Sequence, residues 1–504
     1  MKPVLTAAEM RDVDSRTIAL GIPGIVLMEN AGNRVVELLE REFAPLNEQR
    51  IVVICGKGNN GGDGLVIARQ LFTRFQPRSL DVVLMADPAE LHGDAAANYK
   101  MLLACGSAME REIAPRMRCA SLVVDALLGT GLTGPVRGQA LEMIRRINSE
   151  FPLAKVVAVD LPSGIASDSG DLLGDYVRTD HTVTFTGWKV AQAVPPACDA
   201  MGALSVAAIG SPDHLMNECK LLLTGREDFR RLFQPRPKDS NKGTFGHVLV
   251  VAGSRGKAGA AAMSGISALR AGAGLVTVAT AESALTQVAG YAPEIMTEPL
   301  RETAAGGIAD QEIVLAKKSV VAIGPGLGTE PPTVELVRRM FRECALPMVV
   351  DADALNALAG TDWHAAGHFR VLTPHPGEMS RLTGRTIAEV QSDRVACART
   401  LAVERGVVLV LKGERTLIAL PDGRVWVNPT GSPAMGTGGS GDVLTGLVAG
   451  MLAQFPKEPE LAVAAAVYLH GRAGEFGARE LTEQVLVATD LLRFLPNAIH
   501  DLYN

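Results

Sequence analysis

The sequence predicts an α/β protein built from two successive open sheets of parallel strands, each covered by helices. Three observations carry this expectation. Short β-branched apolar runs alternate with amphipathic stretches of helical length almost from end to end. The alternation breaks once, at LFQPRPKDSNKGTFG (232–246), where Pro, Gly and charge collect as in an interdomain connection. Glycine is 52 of 504 residues, an excess over the usual ~7% that suits turns where backbone approaches a ligand closely.

In the first half, helical segments near 8–20 and 25–41 precede strand runs at Ile51–Cys55, Val82–Met85, Leu122–Ala126, Val156–Asp160 and Thr182–Phe185. A second series starts with HVLVVAG (247–253) and continues through LVTVAT, SVVAIG, PMVVDAD, RVLTP and VVLVLKG. From Val407 to Asn428 a Pro-Asp-Gly turn (421–423) separates two strand runs, so a hairpin is expected to close this sheet. The boundary between the halves is expected near 220–240, with domains of 1–218 and 219–504.

Composition excludes several classes. A length of 504 residues suggests two or three domains at roughly 150 residues each. With 47% hydrophobic and 21% charged residues the chain is not disordered, and a net charge of −6 supplies no general attraction to nucleic acid or an anionic membrane. No run approaches the ~20 apolar residues that span a bilayer, and the N-terminus becomes charged before a signal-type apolar region forms. Seven dispersed cysteines without a C-x-x-C pair argue against a disulfide framework or thiolate zinc site and for a reducing, cytoplasmic setting. Self-association is left open.

Ligands of open α/β sheets sit beyond the carboxyl ends of the strands, and the unusual residues cluster there. Gly56-Lys-Gly58-Asn-Asn-Gly61 follows a strand and matches G-x-G-x-x-G, a weak signal alone. Asp63 is expected in the first turn of the following helix, where it would either cap that helix or oppose a pyrophosphate. Asn59 and Asn60 add carbonyl oxygens suited to a cation or to sugar hydroxyls. Asp125 ends LVVDA ahead of GTGLTGPVRG (129–138), Asp160 ends VVAVD ahead of Ser163, and Lys189 follows VTFTGW. A single strand-end Asp is commonly a cap, but capping does not account for Asn60, Asp125, Asp160 and Ser163 together.

In the second half, Gly436-Thr-Gly-Gly-Ser-Gly441-Asp442 opens an apolar helix. Its amides form a cradle for phosphate charge, and Asp442 either accepts a hydroxyl proton or merely complements the helix dipole. No G-x-x-x-x-G-K-[ST] occurs, so this is not a P-loop. Gly324-Pro-Gly326-Leu-Gly328, Asp351, Asp353, Asn356, the proline-flanked His375 and Lys412-Gly-Glu-Arg-Thr416 stand at or just beyond other strand ends.

NNGGDG, VVDALLGTGLTGP and AVDLPSG together resemble the YjeF-type NAD(P)H-hydrate epimerases over about residues 1–218. The resemblance implies a Rossmann-like three-layer domain that binds hydrated NADH or NADPH and a potassium ion. Asn60, Asp125 and Ser163 then correspond to potassium ligands. Asn59, Asn60, Gly61, Gly62 and Asp63, the loop Gly129, Thr130, Gly131, Leu132, Thr133, Gly134 and Pro135, and Asp160 correspond to substrate contacts. Epimerisation at C6 needs loosening and re-forming of a C–O or C–N bond beside a ring nitrogen, hence proton transfer without a redox partner. Asp160 and Lys189 are the expected acid and base.

KGTFGHVLVVAGS, GPGLG, DADALN, TPHPGE, KGERT and GTGGSGDVLTG resemble the ribokinase-like superfamily, specifically the ADP-dependent NAD(P)H-hydrate dehydratases, over about 225–496. That resemblance implies a ribokinase-like α/β domain, magnesium, and ADP as phosphoryl donor. Gly326, His375 and Asp442 correspond to hydrate-binding residues, with Asp442 catalytic, and Lys412, Gly413, Glu414, Arg415, Thr416 and Gly441 to nucleotide contacts. The implied partners are the small molecules NADHX and NADPHX, with neither nucleic acid nor membrane. An alternative fits the same glycine-Asp cradle: a small-molecule alcohol kinase fused to a non-catalytic nucleotide-binding or scaffold module.

Overall fold

A computed structural model describes residues 1–132 and 134–503. They form two compact units, Lys2–Cys219 and Lys220–Asn504. The first contains β1 (Lys2–Leu5), β2 (Arg50–Cys55), β3 (Ser79–Leu84), β4 (Leu122–Ala126), β5 (Lys155–Val159), β6 (His181–Phe185), β7 (Trp188–Lys189) and β8 (Ala203–Ala207). Six of these make a parallel sheet ordered β3-β2-β4-β5-β6-β8. Ile51, Val53 and Cys55 face one apolar cluster while Val52 and Ile54 face another, so both faces are covered and the unit has three layers. Chain order reverses between β2 and β4, which opens a crevice at their carboxyl ends. The separate pair β1–β7 sets Leu5 beside Lys189. Both strands were missed, because a run of two to four residues shows no usable periodicity.

The second unit holds β9 (Leu221–Leu223), β10 (His247–Val251), β11 (Leu275–Ala281), β12 (Met296–Leu300), β13 (Val320–Ile323), β14 (Met348–Val350), β15 (Arg370–Leu372), β16 (Val408–Leu411), β17 (Leu417–Ala419) and β18 (Val425–Val427). Their order is β12-β11-β10-β13-β14-β15-β16-β17-β18-β9, parallel except where β17 meets β16 and β18. The switch point lies between β10 and β13. Two expectations need correction. The hairpin does not close the sheet, since β9 pairs in parallel with β18. Segment 232–246 is no connection between units: it lies inside the second one, where the Arg236 guanidinium stacks on Phe245 at 3.7 Å and donates to the Gly272 carbonyl. Its composition reflects short 3-10 turns, which need the same residues as a linker.

The helix Ser440–Gln454 is buried over most of its length and packs on the helix Ala258–Arg270. Gly446 and Gly450 make the close approach: a methyl group at either would overlap the backbone carbonyl of Ser264 or Ala268. This contact fixes the position of Asp442 at the helix's first turn.

Candidate active sites

In the first unit a cavity of about 560 Å³ opens at the switch point. The loop after β2 and the loop after β4 interlock through glycine: side chains at Gly56 or Gly61 would overlap the carbonyls of Leu127 and Gly56. The helix following β2 begins at Asn59 with Gly58 as its N-cap. Asp63 is therefore its fifth residue and caps nothing, contrary to the first-turn expectation. It lines the cavity instead, its carboxyl held well above the ordinary range by burial and by the nearby charges of Asp160 and Asp14.

Asn59, Asn60, Asp63, Gly129, Thr130, Gly131, Leu132, Asp160 and Lys189 all line this cavity. Gly61 and Gly62 are buried, the latter packed on Met28, and neither they nor Gly134 and Pro135 reach the wall. Thr133 lies outside the described residues. Asp125 and Ser163 sit behind Asn60. The Ser163 hydroxyl donates to Asp125 Oδ1 at 2.6 Å, its amide donates to Oδ2 at 2.8 Å, and Asn60 Nδ2 donates to the Leu128 carbonyl at 2.9 Å. Asn60 Oδ1 is buried without a hydrogen-bond partner, and burial pushes the Asp125 carboxyl up to about 6 against the pull of the Ser163 bonds. These oxygens fit a monovalent cation, which would satisfy the Asn60 carbonyl and offset the buried carboxylate.

Lys189 is almost wholly buried, and its Nζ lies 2.8 Å from Asp160 Oδ1 while donating to Thr184 Oγ1 and the Phe185 carbonyl at 2.8 Å each. Thr184 donates to Asp160 Oδ1 at 2.9 Å, and Gln192 Nε2 donates to the Asp160 carbonyl at 2.8 Å. Asp160 has φ +65°, the left-handed region. Asp14, from the helix Ala7–Ala19, reaches the same cavity. Burial outweighs the attraction of Lys189 and pushes its carboxyl to about 6, with Asp160 adding to the rise.

In the second unit Lys412 Nζ, at the end of β16, donates to Asp351 Oδ1 at 2.8 Å, and Asp351 Oδ2 accepts from Thr445 Oγ1 at 2.7 Å. Gly441 is packed over this pair: a methyl group there would stand 3.4 Å from Lys412 Nζ. Burial raises the Asp442 carboxyl to about 6, Asp351 and Asp353 adding to the rise and Lys412 opposing it. Asp442, Gly441 and Lys412 are thus gathered at one point. Arg394, itself buried, donates to the Glu414 carbonyl at 2.6 Å and to the carbonyls of Leu411 and Lys412, bracing the loop Lys412–Thr416. His375 caps the helix Pro376–Thr383: its Nδ1 accepts from the amides of Gly377 and Glu378, and Glu378 Oε2 accepts from the His375 amide. Its pKa is lowered by burial and by Lys412 and Arg381, so the ring is neutral and its Nδ1 is committed to the helix. Ser254 Oγ donates to the Gly326 carbonyl at 2.7 Å, tying the loops after β10 and β13 together at the switch point, and the Gly328 amide donates to Asp353, one of the charges acting on Asp442.

Residues 248–497 match the family model described as NAD(P)H-hydrate dehydratase, and 24–191 match the YjeF-related protein N-terminus. The bifunctional NAD(P)H-hydrate repair enzyme of Moorella thermoacetica is 44% identical, the alignment covering 99% of this chain and 97% of that protein. The chain belongs to the bifunctional NAD(P)H-hydrate repair family. The Escherichia coli K12 member is 34% identical over 95% of this chain and 90% of its own length. Among solved structures, the ADP/ATP-dependent NAD(P)H-hydrate dehydratase of Bacillus subtilis, co-crystallised with ATP and Mg2+, is 34% identical with a TM-score of 0.51, covering 56% of this chain and 98% of its own.

Within that family frame, sequence reasoning overlooked several residues that the structure gathers at the two sites. Asp14, Thr184 and Gln192 surround the Asp160–Lys189 pair. Glu378 and Thr445 surround Lys412 and Asp351, Glu378 Oε2 lying 3.8 Å from Lys412 Nζ. Asp14 had one signal, its place four residues after Met10 on the same helix face.

Proposed function

We propose that this protein repairs hydrated NADH and NADPH, the unit Lys2–Cys219 interconverting the R and S epimers and the unit Lys220–Asn504 dehydrating the S epimer at the expense of ADP. The observation that carries the reading is the 99% coverage by a bifunctional repair enzyme at 44% identity, which spans both units in one alignment.

In the second unit Asp442 takes the proton of the C6 hydroxyl as that oxygen attacks the terminal phosphoryl group of ADP, releasing AMP. The amides opening the helix at Ser440, with Lys412 beside them, receive the charge of the transferred group. The C6–O bond then breaks with electron release from the ring nitrogen, a proton leaves C5, and inorganic phosphate departs as the double bond re-forms. Mg2+ bound with the nucleotide supplies charge neutralisation at its phosphates. Glu378 fits beside it, a buried carboxyl whose pKa is raised chiefly by burial. One base and one donor at fixed places serve one C6 epimer, and the epimerase converts the other.

In the first unit Asn60, Asp125 and Ser163 would hold K+, which would supply a fixed positive charge to the site. Asn59, Asp63 and the loop 129–135 bind the substrate, and Asp160 with Lys189 handles protons at C6. In the second unit His375 and Gly326 contact the hydrate, while the loop 412–416 and Gly441 contact the nucleotide. None of the described helices is long and apolar enough to cross a membrane, and the dispersed cysteines suit the cytoplasm.

The test supplies mixed epimers with ADP, Mg2+ and K+ and follows 340 nm absorbance and AMP. Wild type converts all the hydrate, Asp442→Ala none, and Asp160→Asn stalls near half once spontaneous epimerisation is subtracted. A stable phosphorylated alcohol in place of restored absorbance would establish the kinase alternative.

A further inference from the structure

Besides Asp160, the epimerase cavity is lined by the carboxyl groups of Asp14, Asp63 and Asp94, none of which the Asp160–Lys189 pair accounts for. Asp160 is bound in its ion pair, with Lys189 Nζ at 2.8 Å and the Thr184 hydroxyl also on Oδ1. Lys189 in turn is saturated by Asp160, Thr184 and two carbonyls, so its three N–H donors are committed. A pair so fully bonded orients substrate, but it has no proton free to give. Exchange of configuration at C6 needs one: whichever bond to C6 is loosened, the departing oxygen or nitrogen must be protonated as it leaves.

Asp14 meets that need. It projects from the helix Ala7–Ala19, on a wall shared with Met10 and Ile18 at one-turn spacing. Its Oδ1 is shut off from solvent and has no hydrogen-bond partner among the described residues. We infer that Asp14 is the general acid of the epimerase, an additional catalytic residue that faces the C6 substituent in the same cavity as Asp160 and Lys189. This inference rests on the epimerase reading given above.

In the step assigned to it, Asp14 passes its proton to the C6 hydroxyl oxygen. The C6–O bond breaks, water leaves, and the ring-nitrogen lone pair forms the C6=N bond. Water then adds to the other face of C6, the electron pair returns to nitrogen, and the surplus proton goes back to Asp14. Atoms and charge balance without a co-reactant. The charged groups around Asp14 are Lys189 from β7, Asp160 after β5 and Asp63 from the helix Asn59–Gln70, with Arg11 on its own helix and Lys57 and Asp94 elsewhere on the cavity wall. Burial and the charges of Asp160 and Asp14 hold the Asp63 carboxyl well above the ordinary range.

The test uses the full chain and a purified single epimer, with interconversion followed chromatographically in the absence of nucleotide. Asp14→Asn is expected to lower kcat at least 100-fold with KM within threefold, and Asp14→Glu, which keeps the acid, to recover a tenth or more of the rate. Dehydration of the S epimer with ADP and Mg2+ stays at the wild-type rate in both and reports that the second unit has folded, while the recovery by Asp14→Glu reports the same for the first. Wild-type kcat/KM is expected to fall as pH rises through about 6, because the acid form is the active one. The proposal is overturned if Asp14→Asn keeps more than a third of the wild-type kcat, if its whole effect is on KM, if Asp14→Glu is as inactive as Asp14→Asn, or if the wild-type profile is flat from pH 5 to 8. Absence of interconversion by wild type would instead overturn the epimerase reading itself.

Discussion

At Asp442, the base proposed for dehydration, catalysis and stability are expected to oppose each other. Its folded pKa of about 6 lies above the ordinary carboxyl value, so the ionised form is destabilising in the folded state. That cost is fully present above pH 6 and vanishes below about pH 4, where both states are protonated. Asp442→Asn should therefore raise Tm at pH 7, by a gain of about 1–3 kcal/mol, and show no gain near pH 4, as scanning calorimetry at the two pH values would reveal. The same substitution should lower dehydration ~100-fold or more, and wild-type dehydration should fall as pH drops through about 6, since the base must be unprotonated. Lys189 shows the converse. Removing it in Lys189→Met leaves the half-buried Asp160 with the Thr184 hydroxyl but without its cation, and a loss of stability is expected, read as a lowered urea midpoint.

Among the secondary-structure elements, the glycine-bearing helix Ser440–Gln454 carries the sharpest expectation. A methyl group at Gly446 meets the Ser264 carbonyl, which belongs to another helix's backbone and has no rotamer to change. Gly446→Ala should cost about 1–3 kcal/mol and lower dehydration by displacing Asp442, while epimerisation is unchanged. The potassium site proposed for the loops after β2, β4 and β5 gives a test: exchanging K+ for Li+ should lower wild-type epimerisation, and Asn60→Leu should abolish that difference. Much of this scale was readable in advance. Strands such as β2, β4 and β10 announce themselves as apolar runs because both faces of a parallel sheet are covered. The chemistry-bearing residues stand just beyond those strands, where the switch-point rule directs attention. What stayed hidden depends on tertiary proximity. The pair β1–β7 is too short for periodicity, β9 returns to β18 from about 200 residues away in sequence, and Asp14 reaches its cavity from a helix with no motif. The alcohol-kinase alternative could not be dismissed from the glycine-Asp cradle because phosphoryl transfer to any hydroxyl needs the same amides and base.

For the molecule as a whole, two chemistries in one chain make a prediction that neither unit makes alone. Asp442→Ala should convert no hydrate to coenzyme, and Asp160→Asn only the starting S fraction. An equimolar mixture of the two variants should restore complete conversion, because each retains one intact site and the hydrate diffuses between molecules. Failure of the mixture, with each variant keeping its own remaining activity, would mean that the intermediate is not released.

The left-handed backbone at Asp160 decides what evolution and the experimenter can place there. Only glycine, asparagine and aspartate visit φ near +65° readily. Alanine or glutamate at 160 would force the β5 exit to change course, so a lost rate would confound a shifted loop with a missing carboxylate. Asparagine holds the same turn with nearly the same outline and removes only the charge. Among replacements that leave the chain path alone, it is therefore the one whose phenotype can be read as chemistry.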